Sequence, residues 1–173
     1  MFSGIVEKIG IIKELTADKL VILEPSIAQA LNISDSIAVN GICLTIVDIH
    51  KECFVVEISP ETMSRTNLQD LNKNDLVNLE KPLAYNGLIG GHLVQGHVDT
   101  IGKIENIKEE GNSKIFTISH PKTYTQYVVE KGFITVDGIS LTVVECIDNN
   151  FTLSIIPYTF NNTNLKLKNQ DRI

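Results

Sequence analysis

Val39-Asn40-Gly41-Ile42-Cys43-Leu44-Thr45-Ile46-Val47 returns 97 residues later as Val136-Asp137-Gly138-Ile139-Ser140-Leu141-Thr142-Val143-Val144. Six of the nine positions are identical, and the rest exchange Asn for Asp, Cys for Ser and Ile for Val. At the same offset Ile58-Ser59-Pro60-Glu61-Thr62 matches Ile155-Ile156-Pro157-Tyr158-Thr159, and Thr66-Asn67-Leu68 matches Thr163-Asn164-Leu165. Gly4-Ile5-Val6-Glu7-Lys8-Ile9-Gly10 pairs with Gly96-His97-Val98-Asp99-Thr100-Ile101-Gly102 at an offset of 92. Collinear matches of this kind mark a tandem duplication, joined between Asn86-Gly87 and Gly90-Gly91. Solenoid repeats run about 20 to 50 residues, so the longer period here predicts two copies of a small domain, 1–87 and 88–173.

Ile, Val and Thr supply 51 of the 173 residues, a composition that favours strands. The chain therefore reads as all-β. In the first half, Ile5 to Ile12, Leu20 to Leu23, Ser36 to Val39, Leu44 to Ile49, Phe54 to Ile58 and Leu76 to Leu79 read as strands. Turn residues such as Asn72-Lys73-Asn74-Asp75 separate them. Six short strands in so few residues predict a small closed barrel, which leaves no exposed edge. Pro25 to Leu31 predicts one short helix with Pro in its first turn, and Pro121 to Val129 holds the matching place. Thr62 to Leu71 predicts a further helical turn.

No apolar run approaches the roughly 20 residues that span a bilayer. No basic region precedes an apolar stretch at Met1 to Glu7, so no secretory signal is expected. Cys43, Cys53 and Cys146 are odd in number and far apart, which suits free thiols in a reducing cytoplasm. The net charge is −6 with scattered Lys and Arg, and aromatics make up only 6%. Neither a basic footprint nor a stacking platform for nucleic acid is present.

Asn40-Gly41 and Asp137-Gly138 have a plain reading as hairpin turns, since both pairs favour positive φ. The residues after them carry a second reading. Cys43 with Thr45, and Ser140 with Thr142, alternate with Leu44 and Leu141, so each pair shares one strand face. A small polar face present in both copies points to binding. Cys43 is a candidate nucleophile or a buried structural thiol. His92 and His97, five apart in Gly90 to His97, would point to opposite faces of a strand, and no metal site is expected. His97 stands where the first copy has Ile5, a polar group in one copy alone. Lys131, just before Gly132-Phe133, is one charge on the second copy's equivalent of the polar Asn32-Ile33-Ser34-Asp35 segment. A neutral, hydrogen-bonding ligand suits this inventory.

Together these residues resemble riboflavin synthase of the duplicated lumazine-binding-repeat type. The resemblance runs through Met1-Phe2-Ser3-Gly4-Ile5-Val6, Val39 to Thr45, Pro60-Glu61-Thr62-Met63-Ser64-Arg65-Thr66-Asn67-Leu68 and Gly90 to Asp99. It continues through Glu130-Lys131-Gly132, Val136 to Thr142 and Ile156 to Thr159, covering the chain in order. It implies two six-stranded Greek-key barrels, each binding one 6,7-dimethyl-8-ribityllumazine. Its implied reaction passes a four-carbon unit from one lumazine to the other, giving riboflavin and 5-amino-6-ribitylaminouracil without cofactor or metal. It further implies a homotrimer whose active site lies between the first barrel of one subunit and the second of its neighbour.

By that resemblance the first barrel's contacts are Gly4, Ile5, Val6, Cys43, Leu44, Thr45, Glu57, Ile58, Ser59, Pro60, Glu61 and Thr62. The second barrel's are Gly96, His97, Val98, Lys131, Ser140, Leu141, Thr142, Ile155, Ile156, Pro157, Tyr158, Thr159 and Phe160. Phe2, Ser36 and Asp137 also fall at positions the family uses, with His97, Cys43, Ser36 and Phe2 as the expected catalytic set. His97 is the natural proton carrier, because imidazole changes charge near neutral pH. The second half stops at Ile173, short of its last strand, and the family's C-terminal trimerisation helix is not expected in this chain. On the same scaffold, the lumazine and flavin antenna proteins of luminous bacteria bind a chromophore without turning it over.

Overall fold

The computed structural model describes residues 1–169 and 173. The first half is a closed six-stranded barrel of β1 (Lys8–Leu15), β2 (Lys19–Leu23), β3 (Ser36–Val39), β4 (Ile42–Ile49), β5 (Cys53–Glu57) and β6 (Leu76–Glu80). Its order is β1-β2-β5-β4-β3-β6, every neighbouring pair antiparallel. Alternation along each strand sends Ile12, Leu20, Ile22, Ile37, Ile46, Phe54 and Leu79 inward, all fully buried. Helix α1 (Pro25–Ala30) plugs the barrel with Ile27 and Ala28. The Glu24 carboxylate caps it by accepting from the Ile27 N–H at 2.6 Å. Helix α2 (Pro60–Arg65) follows β5.

The second half repeats this plan with β7 (Lys103–Glu110), β8 (Ser113–Ser119), β9 (Phe133–Val136), β10 (Ile139–Ile147), β11 (Asn150–Ile155) and helix α3 (Pro157–Asn162). A 3-10 helix over Lys122–Tyr127 stands where the first half has α1. Even irregularities recur. The bulge between Ile46 and Asp48 returns between Val143 and Glu145, and that between Ile12 and Glu14 returns between Ile104 and Asn106. Bulges sharpen strand twist, which lets so few strands curl into a barrel.

Two expectations need correction. The second half is a five-stranded sheet, β7-β8-β11-β10-β9, among the described residues. Ile173 exchanges hydrogen bonds with Gly102 at 2.7 and 3.0 Å, where Leu76 opens β6 beside β1 in the first barrel. Among the described residues this is the one backbone pair at the place of a sixth strand. The first strand also begins at Lys8, not Ile5, because residues 2–6 leave their own barrel for the other half.

The two hairpin turns meet back to back where the halves join. Asn40 and Asp137 have φ of 46° and 44°, and Gly41 and Gly138 have 79° and 80°, the positive-φ pairs a tight hairpin requires. A Cβ on Gly41 would lie 2.7 Å from the Gly138 nitrogen, and one on Gly138 2.6 Å from the Gly41 nitrogen. Around this contact a buried polar cluster is bonded reciprocally, with Asn40 Nδ2 left without a partner among the described residues. Asn67 Nδ2 donates to Asp137 Oδ1 at 3.0 Å, while its counterpart Asn164 Nδ2 donates to Asn40 Oδ1 at 3.3 Å. Asn78 lies between them, donating to the Asp137 carbonyl at 2.8 Å and to Asn164 Oδ1 at 2.9 Å.

Gly41→Ala combines a left-handed backbone, costing about 1–2 kcal/mol for a side-chain-bearing residue, with a backbone clash across the join. Urea unfolding should show a loss of at least about 2 kcal/mol. A loss under about 0.5 kcal/mol would contradict this packing.

Candidate functional site

The segments at residues 2–4 and 92–96 form a short antiparallel crossing over the join. Phe2 N donates to the Val94 carbonyl at 2.8 Å, Val94 N to that of Phe2 at 3.0 Å, and His92 N to that of Ser3 at 3.1 Å. Beyond this crossing each segment docks on the opposite half. The Gly4 carbonyl accepts from Ser140 N at 2.7 Å, and the Gly96 carbonyl accepts from Cys43 N at 2.8 Å. Both glycines have positive φ, and a Cβ on either would lie 2.6–2.7 Å from the Cβ of Ser140 or Cys43. The backbone can approach this closely only because both residues lack a side chain.

This crossing rearranges the expected contacts. Gly4, Ile5 and Val6 lie with Ser140, and Gly96, His97 and Val98 lie with Cys43, so each group is exchanged relative to its expected barrel. The exchange is invisible in a repeat alignment, which pairs Gly4 with Gly96 but says nothing about which half either covers.

Two polar patches result. On β4, Ile42, Leu44 and Ile46 are buried while Cys43 is half-buried and Thr45 exposed. Ala38 and Ser36 stand opposite Cys43 and Thr45, so Ser36 joins this outer face. Val56 lies opposite Ile46, which brings Glu57, where β5 ends, level with Thr45. From there Ser59 caps α2, its Oγ accepting from Thr62 N at 3.0 Å, and Pro60, Glu61 and Thr62 form the first turn. On β10, Ser140 is half-buried and Thr142 exposed, facing Thr135 and Phe133. Leu153 lies opposite Val143, so the run from Ile155 into α3 leaves beside Leu141. Ile156 and Tyr158 are exposed and Pro157 opens the helix; Thr159 Oγ1 lies on that turn, while Phe160 packs on the core beneath Lys114 Nζ. Lys131 Nζ donates to the Val144 carbonyl at 3.2 Å.

The second patch carries an imidazole that residue-by-residue reading set aside. His92 Nδ1 is 2.7 Å from Ser140 Oγ, and its Nε2 is 3.0 Å from Thr135 Oγ1. Its ring stacks on Phe133 with centroids 5.2 Å apart and planes 16° apart. Burial pushes this imidazole below the ordinary histidine range. Two hydroxyl partners and a flat ring contact fix its orientation, and with it that of Ser140. The signal in the sequence was the Gly90-Gly91 step. A Cβ on Gly91 would lie 2.2 Å from the Ser3 carbonyl oxygen and 2.7 Å from Ser140 Oγ, so glycine lets the chain fold His92 onto that serine. His97, by contrast, is exposed beside Cys43.

Several expected contacts lie elsewhere. Phe2 is fully buried against Ala38, Val94 and Cys43, so it supports the crossing by packing and touches no open surface. The Asp137 carboxylate is 3% exposed and held by Asn67, Asn164 and Lys168 Nζ at 3.4 Å; the Asn40/Asp137 difference belongs to the join, not to a pocket. Leu44, Ile58 and Ile155 are core side chains, and they can offer a ligand only backbone. A cavity of about 580 Å³ opens between residues 92–102 and β9, down to the core residues Ile118 and Phe151. His92, His97 and Val98 line its rim, but Cys43, Thr45, Ser140 and Thr142 do not. Gly102 and Ile173 line it as well.

The lumazine binding domain family matches residues 3–82 and again 95–173. The chain is 41% identical over 172 residues to riboflavin synthase of Actinobacillus pleuropneumoniae, covering 97% of this chain and 80% of that one. It is 42% identical over 167 residues to riboflavin synthase of Bacillus subtilis (strain 168), covering 94% and 78%. Among solved structures, LumP complexed with riboflavin superposes with a TM-score of 0.92 at 25% identity, covering 99% of this chain and 96% of that one. LumP complexed with 6,7-dimethyl-8-(1'-D-ribityl) lumazine gives 0.89 at the same identity and the same coverage.

The His92 environment sets a sign for pH. A histidine whose folded value is lowered contributes stability above its ordinary value, and that stability is lost as pH falls through the lowered one. The melting temperature of His92→Gln should therefore fall less than that of the wild type between about pH 7 and 5. Parallel profiles would contradict the burial of this ring.

Proposed function

Because the chain belongs to the lumazine binding domain family, and within it to the riboflavin synthases, we propose that it performs the dismutation of two 6,7-dimethyl-8-ribityllumazine molecules. One lumazine gains four carbons to become riboflavin, and the other loses them to become 5-amino-6-ribitylaminouracil. The enzyme is a transferase by reaction class, and this chemistry calls on no cofactor or metal. The supporting observation is the reciprocal crossing, which builds two similar polar patches from both halves of one chain.

Two copies of one substrate need two similar pockets. In our reading one lumazine lies over Cys43, Leu44, Thr45 and the Glu57–Thr62 run, covered by Gly96, His97 and Val98. The other lies over Ser140, Leu141, Thr142, Lys131 and the Ile155–Phe160 run, covered by Gly4, Ile5 and Val6. Donor and acceptor play different parts, and the patches differ accordingly. Ser36, Cys43 and His97 mark the first, while Phe133, Ser140 and the fixed His92 mark the second. The exocyclic C7 methyl of a lumazine is acidic, and His97 removes its proton to give the carbanion that attacks the other ring. Holding both rings aligned lowers the barrier by about 7 kcal/mol or more in well-oriented cases.

Within one chain the Phe2–Val94 crossing stands between Cys43 and Ser140. We therefore propose that the first patch of one subunit faces the second patch of another, in a homotrimer. The three cysteines are unpaired, which suits a cytoplasmic enzyme.

Mixing the protein with 6,7-dimethyl-8-ribityllumazine should yield one riboflavin absorbance equivalent for every two lumazines consumed. Binding without turnover would instead place it with chromophore carriers such as LumP. His97→Gln should slow turnover at least about tenfold while leaving lumazine affinity within about tenfold; unchanged turnover would remove His97 from the proton transfer. Specific activity should fall on dilution as subunits separate. Full activity from a monomer in the ultracentrifuge would contradict the pairing between subunits.

A further inference from the structure

We propose that Glu80 is a positioning residue for the second patch, acting from the first barrel through the N-terminal segment. The inference rests on the reading of that patch as a ligand site. Glu80 ends β6 and is 5% exposed. Its Oε1 accepts from Ser3 N at 2.7 Å and from Ser3 Oγ at 2.9 Å, and its Oε2 accepts from Gly4 N at 3.0 Å. Both oxygens act only as acceptors, the role a carboxylate fills and an amide cannot. Among the described residues no cation pairs with it, so these three donors are its company inside the protein.

The next bond in the chain is the one that matters. Gly4, held by its N–H to Glu80, presents its carbonyl to Ser140 N at 2.7 Å. Glu80 thus fixes both the height and the tilt of the strip that carries Ile5 and Val6 over Ser140 and Thr142. Position 80 belongs to the first half, and the hydroxyls it serves belong to the second. Gly96 makes the matching bond to Cys43 N at 2.8 Å, and the Glu80 carboxylate, bonded to Ser3 and Gly4, does not reach that strip among the described residues.

Glu80→Gln keeps the volume but turns an –NH2 donor toward a backbone donor, leaving that N–H buried without an acceptor. Amide hydrogen exchange on ligand-free protein reads the result locally, with the Cys43 amide as an internal control. Exchange of the Ser140 amide should rise at least about tenfold, and that of Cys43 less than about twofold. Equal changes at both amides, or none at Ser140, would show a general structural role and overturn the proposal. Should Glu80→Gln fail to fold, Ser3→Ala removes only the hydroxyl donor and decides the matter. Exchange at Ser140 must then rise more than at Cys43, and the reverse order overturns the proposal.

Turnover is read second, with 6,7-dimethyl-8-ribityllumazine as substrate. Glu80→Gln should lower kcat/KM at least about fivefold, and an unchanged value with loosened Ser140 exchange would overturn the positioning role. Should the wild-type protein fail to convert lumazine at all, the functional reading falls, while the exchange result still stands for or against Glu80 itself.

Discussion

The backbone contact between Gly41 and Gly138 is the constraint from which the rest of the arrangement follows. Two hairpin turns can meet this closely only if neither carries a side chain at its second position, and both do without one. Once they meet, the strands leaving them, β4 and β10, run outward from a common centre with matching faces. The Asn67, Asn78 and Asn164 amides close around the turns and satisfy groups that would otherwise be buried unpaired. The crossing of Phe2–Gly4 over His92–Gly96 then lies across the same centre and extends it. A larger residue at either glycine would separate the halves and, with them, the two patches.

The duplication makes the site symmetric in plan and unequal in detail. Cys43 and Ser140, Ser36 and Phe133, Ala38 and Thr135 occupy matching places. The first patch is left open, with His97 exposed beside a thiol. The second is ordered, with His92 bridging two hydroxyls and Glu80 holding the strip opposite. A reaction between two identical molecules that end as different products needs such inequality, because each copy of the substrate must meet a different surface.

Much of this was legible in the sequence. The repeat placed the join, the alternation placed five of the first six strands closely, and the Cys43/Thr45 and Ser140/Thr142 faces point outward as their spacing requires. What could not be read was the exchange of the terminal segments. Pairing between Gly4 and Ser140, or Gly96 and Cys43, depends on which side of the join each strip crosses, and side-chain pattern carries no information about that. Phe2 and Asp137 are buried at the join, where residues of both halves close on them: Ala38, Cys43 and Val94 on Phe2, and Asn67, Asn164 and Lys168 on Asp137. His92 was set aside because a strand was assumed through Gly90 to His97. The chain there forms no strand, only an isolated bridge of Val94 with Phe2 flanked by single backbone bonds, and Gly91 turns His92 onto Ser140.

In the proposed arrangement each ligand site is built from both halves of the duplication. A crystal structure with a non-reactive lumazine analogue tests it most directly. One ring should lie between Cys43–Thr45 and Gly96–Val98, and another between Ser140–Thr142 and Gly4–Val6. A ring held by Gly4–Val6 together with Cys43, or seated in the cavity beneath β9 away from both patches, would contradict it.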